Sequence, residues 1–334
     1  MRWLVGGGLG FIGSNFIRAA LCRHSGLQIV NLDAVTYAGN PANLRDLESD
    51  PRYRFVKGSV CDPAAVGAAI GDGVDAIVNF AAETHVDRSI LDAGAFLRTD
   101  VLGTHVLLEA VRERRIARYL HVSTDEVYGD VAEGASLESD SLRPSSPYSA
   151  SKAGGDLLAL AYFATHGTPV SITRGSNTYG PFQYPEKLIP LFVTALLDDE
   201  PVPLYGDGLQ TRDWIHVDDH VAGVLHVLEY GRPGEIYNLS GGNPRTNLEI
   251  TGLLLAGCGR SAKTHVRHVT DRAGHDRRYC IDSSKLRALG WSPRTPFEEG
   301  VAATIAWYAA NEPWWRPLKS GDFLEYYRRQ YAGR

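Results

Sequence analysis

The chain is poor in cysteine, has no long apolar run and carries little excess charge, and each shortage removes a class of function. Its four cysteines, Cys22, Cys61, Cys258 and Cys280, are scattered without a C-x-x-C pair, so they are read as reduced, buried small residues. Adding Cys258 and Cys280 to His265, His268 and His275 produces a spacing that fits no zinc pattern, and no metal is expected. No apolar run approaches the roughly 20 residues needed to span a bilayer, and the chain enters a strand without a charged leader, so a cytoplasmic protein is expected. A net charge of −5 over 334 residues offers no basic surface for nucleic acid or membrane, which leaves a small molecule as the expected partner. Internal repeats and low-complexity tracts are absent too.

What the chain has instead is glycine in one telling place. The opening stretch MRWLVGGGLGFIGS reads as a buried strand, a tight turn and the start of a helix. Gly7, Gly10 and Gly13 fall three apart, a spacing that lets backbone pass close to a pyrophosphate while a helix N-terminus offers its unpaired N–H groups. A flexible turn would look the same taken alone. A second apolar strand, 28–32, ends in Asp33, twenty positions after Gly13, where a carboxylate accepts from an adenosine ribose and repels a 2′-phosphate. NAD is therefore expected over NADP.

The first half alternates strand patterns at 2–5, 28–32, 53–57, 76–80, 118–123 and 170–174 with helical patterns at 13–23, 63–70, 96–114 and 151–166. That rhythm predicts an α/β fold, a doubly wound parallel Rossmann-type sheet with right-handed crossovers. Beyond Arg174 the loops lengthen and prolines multiply, predicting a smaller, mainly C-terminal α/β substrate lobe. Helices are expected at 188–197, 218–229 and 296–311, another starting near Thr246 with Glu249 completing a capping box, and a strand at 235–239. The boundaries expected are residues 1–178 for the cofactor domain, with about 213–240 packing back on it, and 179–334 for the substrate lobe. The late aromatics Trp314, Trp315, Phe323, Tyr326 and Tyr327 are read as core rather than as ligand-stacking rings. Ligands bind outside the carboxyl ends of parallel strands, which places the site where strands 118–123 and 170–174 end.

Three pairs of residues near that place bear chemistry. Tyr148 and Lys152 lie four apart at the start of a predicted helix, so both emerge on one face. An ammonium beside the phenol is expected to lower its pKa and let it act as a base. A plain surface pair is the other reading. Ser123 and Thr124 would hydrogen-bond the oxygen being oxidised. Asp125 and Glu126 follow directly, and hydride transfer alone needs no carboxyl pair. Beside a ketone-forming site they suggest elimination: Glu126 takes an α-proton while Asp125, kept neutral by its neighbour and by desolvation, protonates a departing hydroxyl. A solvated or capping acidic pair remains the alternative.

With GGGLGFIGS, LDAVTYAGNPANL, NFAAETHVDRS, STDEVYGD, SPYSASKAG, NTYGPFQYPEKLIPLF, PLYGDG, TRDWIHVDDH and DRAGHDRRYCID, the chain resembles the extended short-chain dehydrogenases and, within them, the dTDP-glucose 4,6-dehydratases, over nearly its whole length. The resemblance implies that Tyr148 takes the proton of the glucose 4-hydroxyl as C4 passes hydride to NAD. Glu126 then takes the C5 proton, Asp125 assists loss of the 6-hydroxyl, and the hydride returns to C6. The NAD is expected to stay bound and be regenerated each cycle.

Carried over by motif, the cofactor would be held by Gly7, Gly10, Phe11, Ile12, Gly13, Asp33, Thr36, Ser59, Val60, Phe80, Ala81, Ala82, Thr84, Thr99, Tyr148, Lys152 and Thr178. The nucleotide sugar would be held by Thr84, Arg88, Thr124, Asn177, Lys187, Leu188, Pro203, Tyr205, Arg212, Asn247, Arg272, His275 and Tyr279. Lys187 and Arg212 suit a pyrophosphate, Arg212 through its planar fork. The family also implies a homodimer joined through the helices 96–114 and 151–166. Gly6, Leu9, Ser59, Asn79 and Asp100 depart from the family pattern. Asp100 matters most, since a carboxylate there would pair with Lys152 or oppose ionisation of Tyr148. A nucleotide-sugar 4-epimerase or decarboxylase on the same scaffold, and a weakly catalytic NAD-binding sensor, remain open readings at this point.

Overall fold

The computed structural model describes residues 1–271 and 274–331. Seven strands, β1 (Arg2–Gly6), β2 (Gln28–Asp33), β3 (Tyr53–Lys57), β4 (Ala76–Asn79), β5 (Arg118–Thr124), β6 (Val170–Gly175) and β7 (Ile236–Leu239), form one sheet in the order β7-β6-β5-β4-β1-β2-β3. Every pairing is parallel. The registers Gly6↔Leu32, Gly6↔Asn79 and Thr124↔Gly175 bring the carboxyl ends of the strands to one edge. The order reverses between β1 and β4, which opens a crevice at that edge.

Alternation along each central strand sends apolar side chains to both faces, as a sheet covered by helices on both sides requires. Trp3, Val5, Ile29 and Val122 pack toward helices Phe11–Arg23 and Val217–Tyr230. Leu4, Val30, Ile77 and Tyr119 pack toward helices Pro63–Ile70, Gly103–Arg114 and Pro147–His166. Each large side chain buried this way is worth about 1.5–3 kcal/mol.

The second lobe carries a three-stranded sheet of Asn177–Tyr179, Thr211–His216 and Pro244–Thr246, and a parallel pair of Val202–Tyr205 with Val266–Val269. Helices Leu188–Leu197, Asn247–Gly257 and Phe297–Ala310 pack around a separate core. Thr246 and Glu249 cap the second of these reciprocally, as the sequence predicts. The late aromatics join this core: Trp315 and Phe323 are buried, Trp314 and Tyr327 pack against them, and Tyr326 lies outside the described side chains. Among the described residues no helix is long and apolar enough to cross a membrane.

Three expectations need correction. The helix predicted over 96–114 is not regular. Asp92 caps a first turn, Ala93–Phe96, the chain widens into a π-helix over Leu97–Leu102, and α-geometry resumes at Gly103–Arg114. The helix predicted from Ser151 begins at Pro147, where Ser146 and Ser149 form a capping box, so Tyr148 sits in its first turn. The cysteines are free but not buried: Cys22 is exposed on the outward side of its helix and the other three are half-buried.

Candidate active site

A cavity of about 320 Å³ runs along the carboxyl edge of the sheet, within the size range of ligand sites. One end is built by the glycine turn. Gly7 takes a φ of +74°, and a Cβ there would lie 2.5 Å from the Ala81 nitrogen; a Cβ on Gly13 would lie 2.4 Å from the Gly7 carbonyl oxygen. Only glycine lets these backbones close up. The helix Phe11–Arg23 that follows has no side-chain cap, so its first N–H groups remain for an anion. Asp33 accepts from the Leu9 and Val35 N–H groups at 2.9 and 2.8 Å. Burial pushes its carboxyl up, and those two donors hold it down. This cradle fits a dinucleotide.

The cavity wall then runs through Thr36, Ser59, Val60, Phe80, Ala81, Ala82, Thr84 and Thr99 to Thr178. Glu83, inside the segment 80–84 expected to hold the cofactor, lines it as well, and so do Gly39, Gln183, Tyr184, Glu186 and His220, which the sequence reading does not single out as site residues. They lie within the quoted motifs, but their approach to one cavity depends on loops and a helix that meet only in space. Glu186 forms a roof: it accepts from the Tyr37 hydroxyl at 2.9 Å and from Arg88 Nε at 3.1 Å, while the Arg88 guanidinium lies 4.0 Å from the Tyr37 ring centroid. Lys187 lines the cavity and donates to the Thr84 carbonyl.

At the other end Thr124, Asp125, Glu126, Tyr148 and Lys152 all reach the cavity. Thr124 closes β5 and caps the short 3₁₀ turn Asp125–Tyr128, accepting from the Glu126 N–H at 3.3 Å. Its hydroxyl donates to Asp125 Oδ1 at 3.2 Å. Burial, then the charges of Glu126 and Asp213, push the Asp125 carboxyl well up, which favours its protonated form. Its Oδ2 is buried without a hydrogen-bond partner.

The expected Tyr148–Lys152 relationship is corrected here. Lys152 Nζ donates to the Val122 carbonyl oxygen at 2.8 Å. Burial first, then the charges of Glu126 and Asp100, push the Tyr148 phenol well above its ordinary value. The lysine charge is shared with Asp100, whose carboxyl it draws down against a stronger burial effect that leaves it at about 6. Asp100 itself is bonded to Ser151 rather than to Lys152.

Asn177 lines this cavity too; the remaining described substrate-side residues do not. Arg88 sits in the roof just described. Leu188 opens a second-lobe helix behind Lys187, and Pro203 is buried in the strand Val202–Tyr205. Tyr205 and His275 are in ring contact at 6.0 Å, and His275 pairs with Asp271 at 2.6 Å. The Asn247 N–H donates to the Gln210 carbonyl. Arg212 directs its fork to the Thr211 and Asp276 carbonyl oxygens and stacks 4.2 Å over Tyr279. Arg272 lies outside the described residues. These groups form a second cluster that adjoins the acid pair: the charge of Arg212 is felt at Asp125, and that of Glu126 at Tyr279.

Sheet, glycine cradle, tyrosine and lysine on one helix, and two acids at a strand end together define a dinucleotide-dependent enzyme built to oxidise a hydroxyl and act on the neighbouring carbon. A model of the family described as GDP-mannose 4,6 dehydratase matches residues 4–304, and the chain belongs to that family. It is 52% identical over 327 residues to a dTDP-glucose 4,6-dehydratase of Streptomyces niveus, covering 96% of this chain and 97% of that one. The crystal structure of a dTDP-glucose 4,6-dehydratase from Streptomyces venezuelae, solved with NAD bound, is 51% identical, with a TM-score of 0.93 over 96% of this chain and all of that one. A Thermus thermophilus UDP-glucose 4-epimerase in complex with NAD is 30% identical, with a TM-score of 0.86 over 93% of this chain and all of that one.

Proposed function

We propose that this protein is a lyase that converts dTDP-glucose to dTDP-4-keto-6-deoxyglucose and water, a step of deoxysugar biosynthesis. The observation that carries the reading is the convergence of a phenol, a threonine hydroxyl and two adjacent acids on one end of a dinucleotide cavity. An epimerase at C4 has no use for the two acids.

NAD, when bound, takes up the C4 hydride and gives it back at C6. Gly7, Gly10 and Gly13 with the helix start behind them would hold its pyrophosphate, and Asp33 its adenosine ribose. Phe11, Ile12, Thr36, Ser59, Val60, Phe80, Ala81, Ala82, Thr84, Thr99 and Thr178 would complete the cofactor side. Thr124 orients the sugar 4-hydroxyl toward Tyr148, which removes its proton. Lys152, held on the Val122 carbonyl oxygen, adds a positive charge to this end of the cavity. The new ketone acidifies C5, Glu126 takes that proton, and Asp125, already protonated, hands its own to the departing 6-hydroxyl.

The nucleotide part of the substrate is assigned to the second cluster, Tyr205, Arg212, Asn247, His275 and Tyr279, with Leu188 and Pro203 beside it and Asn177 and Lys187 reaching in from the cavity wall. Residues 1–178 with 213–240 are assigned to the cofactor and the rest to the sugar nucleotide. A homodimer in the cytoplasm is part of this reading. It is supported by the exposed Leu97 and Leu102 beside the helix Gly103–Arg114, and by Leu157 and Phe163 on the helix Pro147–His166.

Glu126→Gln tests the division of labour. It should still oxidise C4 while C5 exchange with solvent falls about 10²–10⁴-fold. Full water elimination by that variant would remove Glu126 from the mechanism.

A further inference from the structure

The turn that carries the two acids is short, and its orientation needs an anchor. Asp125–Tyr128 is a single 3₁₀ turn, a geometry in which residues three apart eclipse. Asp125 and Tyr128 are accordingly both buried, while Glu126 is left partly open where the turn meets the cavity. The exit of the turn is tight. Gly129 takes a φ of +76°, and a Cβ there would lie 2.1 Å from the Arg143 carbonyl oxygen.

Tyr128 is gripped from two strands of the sheet. Its hydroxyl donates to Asn238 Oδ1 on β7 and accepts from an Arg174 guanidinium nitrogen on β6, both at 2.8 Å. The guanidinium carbon also lies 4.7 Å from the ring centroid. Both partners are anchored in turn. Arg174 Nε donates to Asp156 at 2.8 Å, and Asn238 Nδ2 donates to the Ser136 carbonyl at 3.0 Å. Burial pushes the phenol up to about 12, with Arg174 drawing the other way, so it stays a donor at working pH.

We propose that Tyr128, held between Arg174 and Asn238, is a positioning residue that aims the Asp125–Glu126 turn and so governs elimination separately from oxidation. The inference rests on the dehydration reading given above. Tyr128 is bonded to neither Tyr148 nor Lys152 among the hydrogen bonds of the described residues, so its loss should spare C4 oxidation. Its loss leaves a buried donor and acceptor that can meet only if the ring, and the turn with it, shifts. A displacement of about 1 Å at the acids costs about 10²-fold in the step they carry.

Tyr128→Phe tests this in deuterated solvent with dTDP-glucose. Absorbance of the reduced nicotinamide in a single turnover reads oxidation, and deuterium at C5 with 4-keto-6-deoxy product reads elimination. The expected result is oxidation within about 3-fold of the parent and elimination down at least about 10-fold, with reduced cofactor accumulating. Equal loss of both steps, or no change in either, overturns the proposal. Should Tyr128→Phe fail to fold, Asn238→Ala, which leaves the phenol with Arg174 alone, is read the same way and must slow elimination selectively. A parent enzyme that performs no dehydration sinks the underlying reading instead, so the two failures are told apart.

Discussion

Ser151 donates its hydroxyl to the Asp100 carboxylate across 2.5 Å, joining the π-helix Leu97–Leu102 to the first turns of the helix that presents Tyr148 and Lys152. The widened turn is what carries this carboxyl against the catalytic helix. Local π-geometry inside α-helices is frequent at functional sites.

From this contact follows a pH prediction. The Asp100 carboxyl is pushed up to about 6, burial outweighing the pull of Lys152, and its charge opposes ionisation of Tyr148. Asp100→Asn removes a negative charge near the phenol and lowers the phenol pKa. The acidic limb of C4 oxidation should move to lower pH, by about 0.5–1 unit. A pH–rate profile of the oxidation step checks it, and a move to higher pH would exclude the role.

Glu83 yields a stability prediction. Burial, and next the charge of Asp100, raise its carboxyl to about 7, against an ordinary 4.5. A folded pKa above the unfolded one gives stability that is whole below about pH 4.5 and is lost as pH rises through 7. Glu83→Gln should therefore melt about 2 °C or more above the parent at pH 8 and level with it near pH 4.5. Thermal melts across that range read the difference.

The glycine cradle makes a sharper test of cofactor binding. In Gly13→Ala the new methyl meets the Gly7 carbonyl oxygen at 2.4 Å unless the turn opens. NAD carried through purification should drop to less than about half of the parent level, because backbone that no longer closes up cannot approach a pyrophosphate. Circular dichroism should stay that of the parent. Undiminished NAD content would place the pyrophosphate elsewhere.

Tyr37 is expected to act on retention of the cofactor. Its hydroxyl donates to Glu186 across the cavity roof, and a buried hydrogen bond to a charged group contributes about 1.5–3 kcal/mol. Tyr37→Phe should release bound NAD about 10-fold faster, measured by exchange against labelled NAD, with the Arg88–Glu186 pair left intact. An unchanged exchange rate would show that the roof does not gate release.

Most of the cofactor half was legible because its signals are local. Apolar runs marked the seven sheet strands to within a residue or two, and Gly7, Gly10 and Gly13 marked the cradle through backbone geometry that a sequence states directly. The π-helix at Asp100 was not legible, since an apolar pattern over six residues does not separate a π-turn from an α-turn. Lys152 illustrates the other limit. Helical spacing put it on the face of Tyr148, but whether its ammonium reaches the phenol or the Val122 carbonyl depends on the neighbouring strand. The short strands Asn177–Tyr179 and Pro244–Thr246 were missed because three residues carry no period.

The outer edge of the cofactor sheet is supplied late. β6 pairs on one side with β5 and on the other with β7, whose residues Ile236–Leu239 follow a long excursion into the second lobe. During synthesis six strands emerge with the backbone groups of β6 unsatisfied on that side, an open template for mispairing until β7 leaves the ribosome. A fragment cut near residue 178 would keep that bare edge for good, so it should aggregate rather than persist as a free-standing nucleotide-binding module.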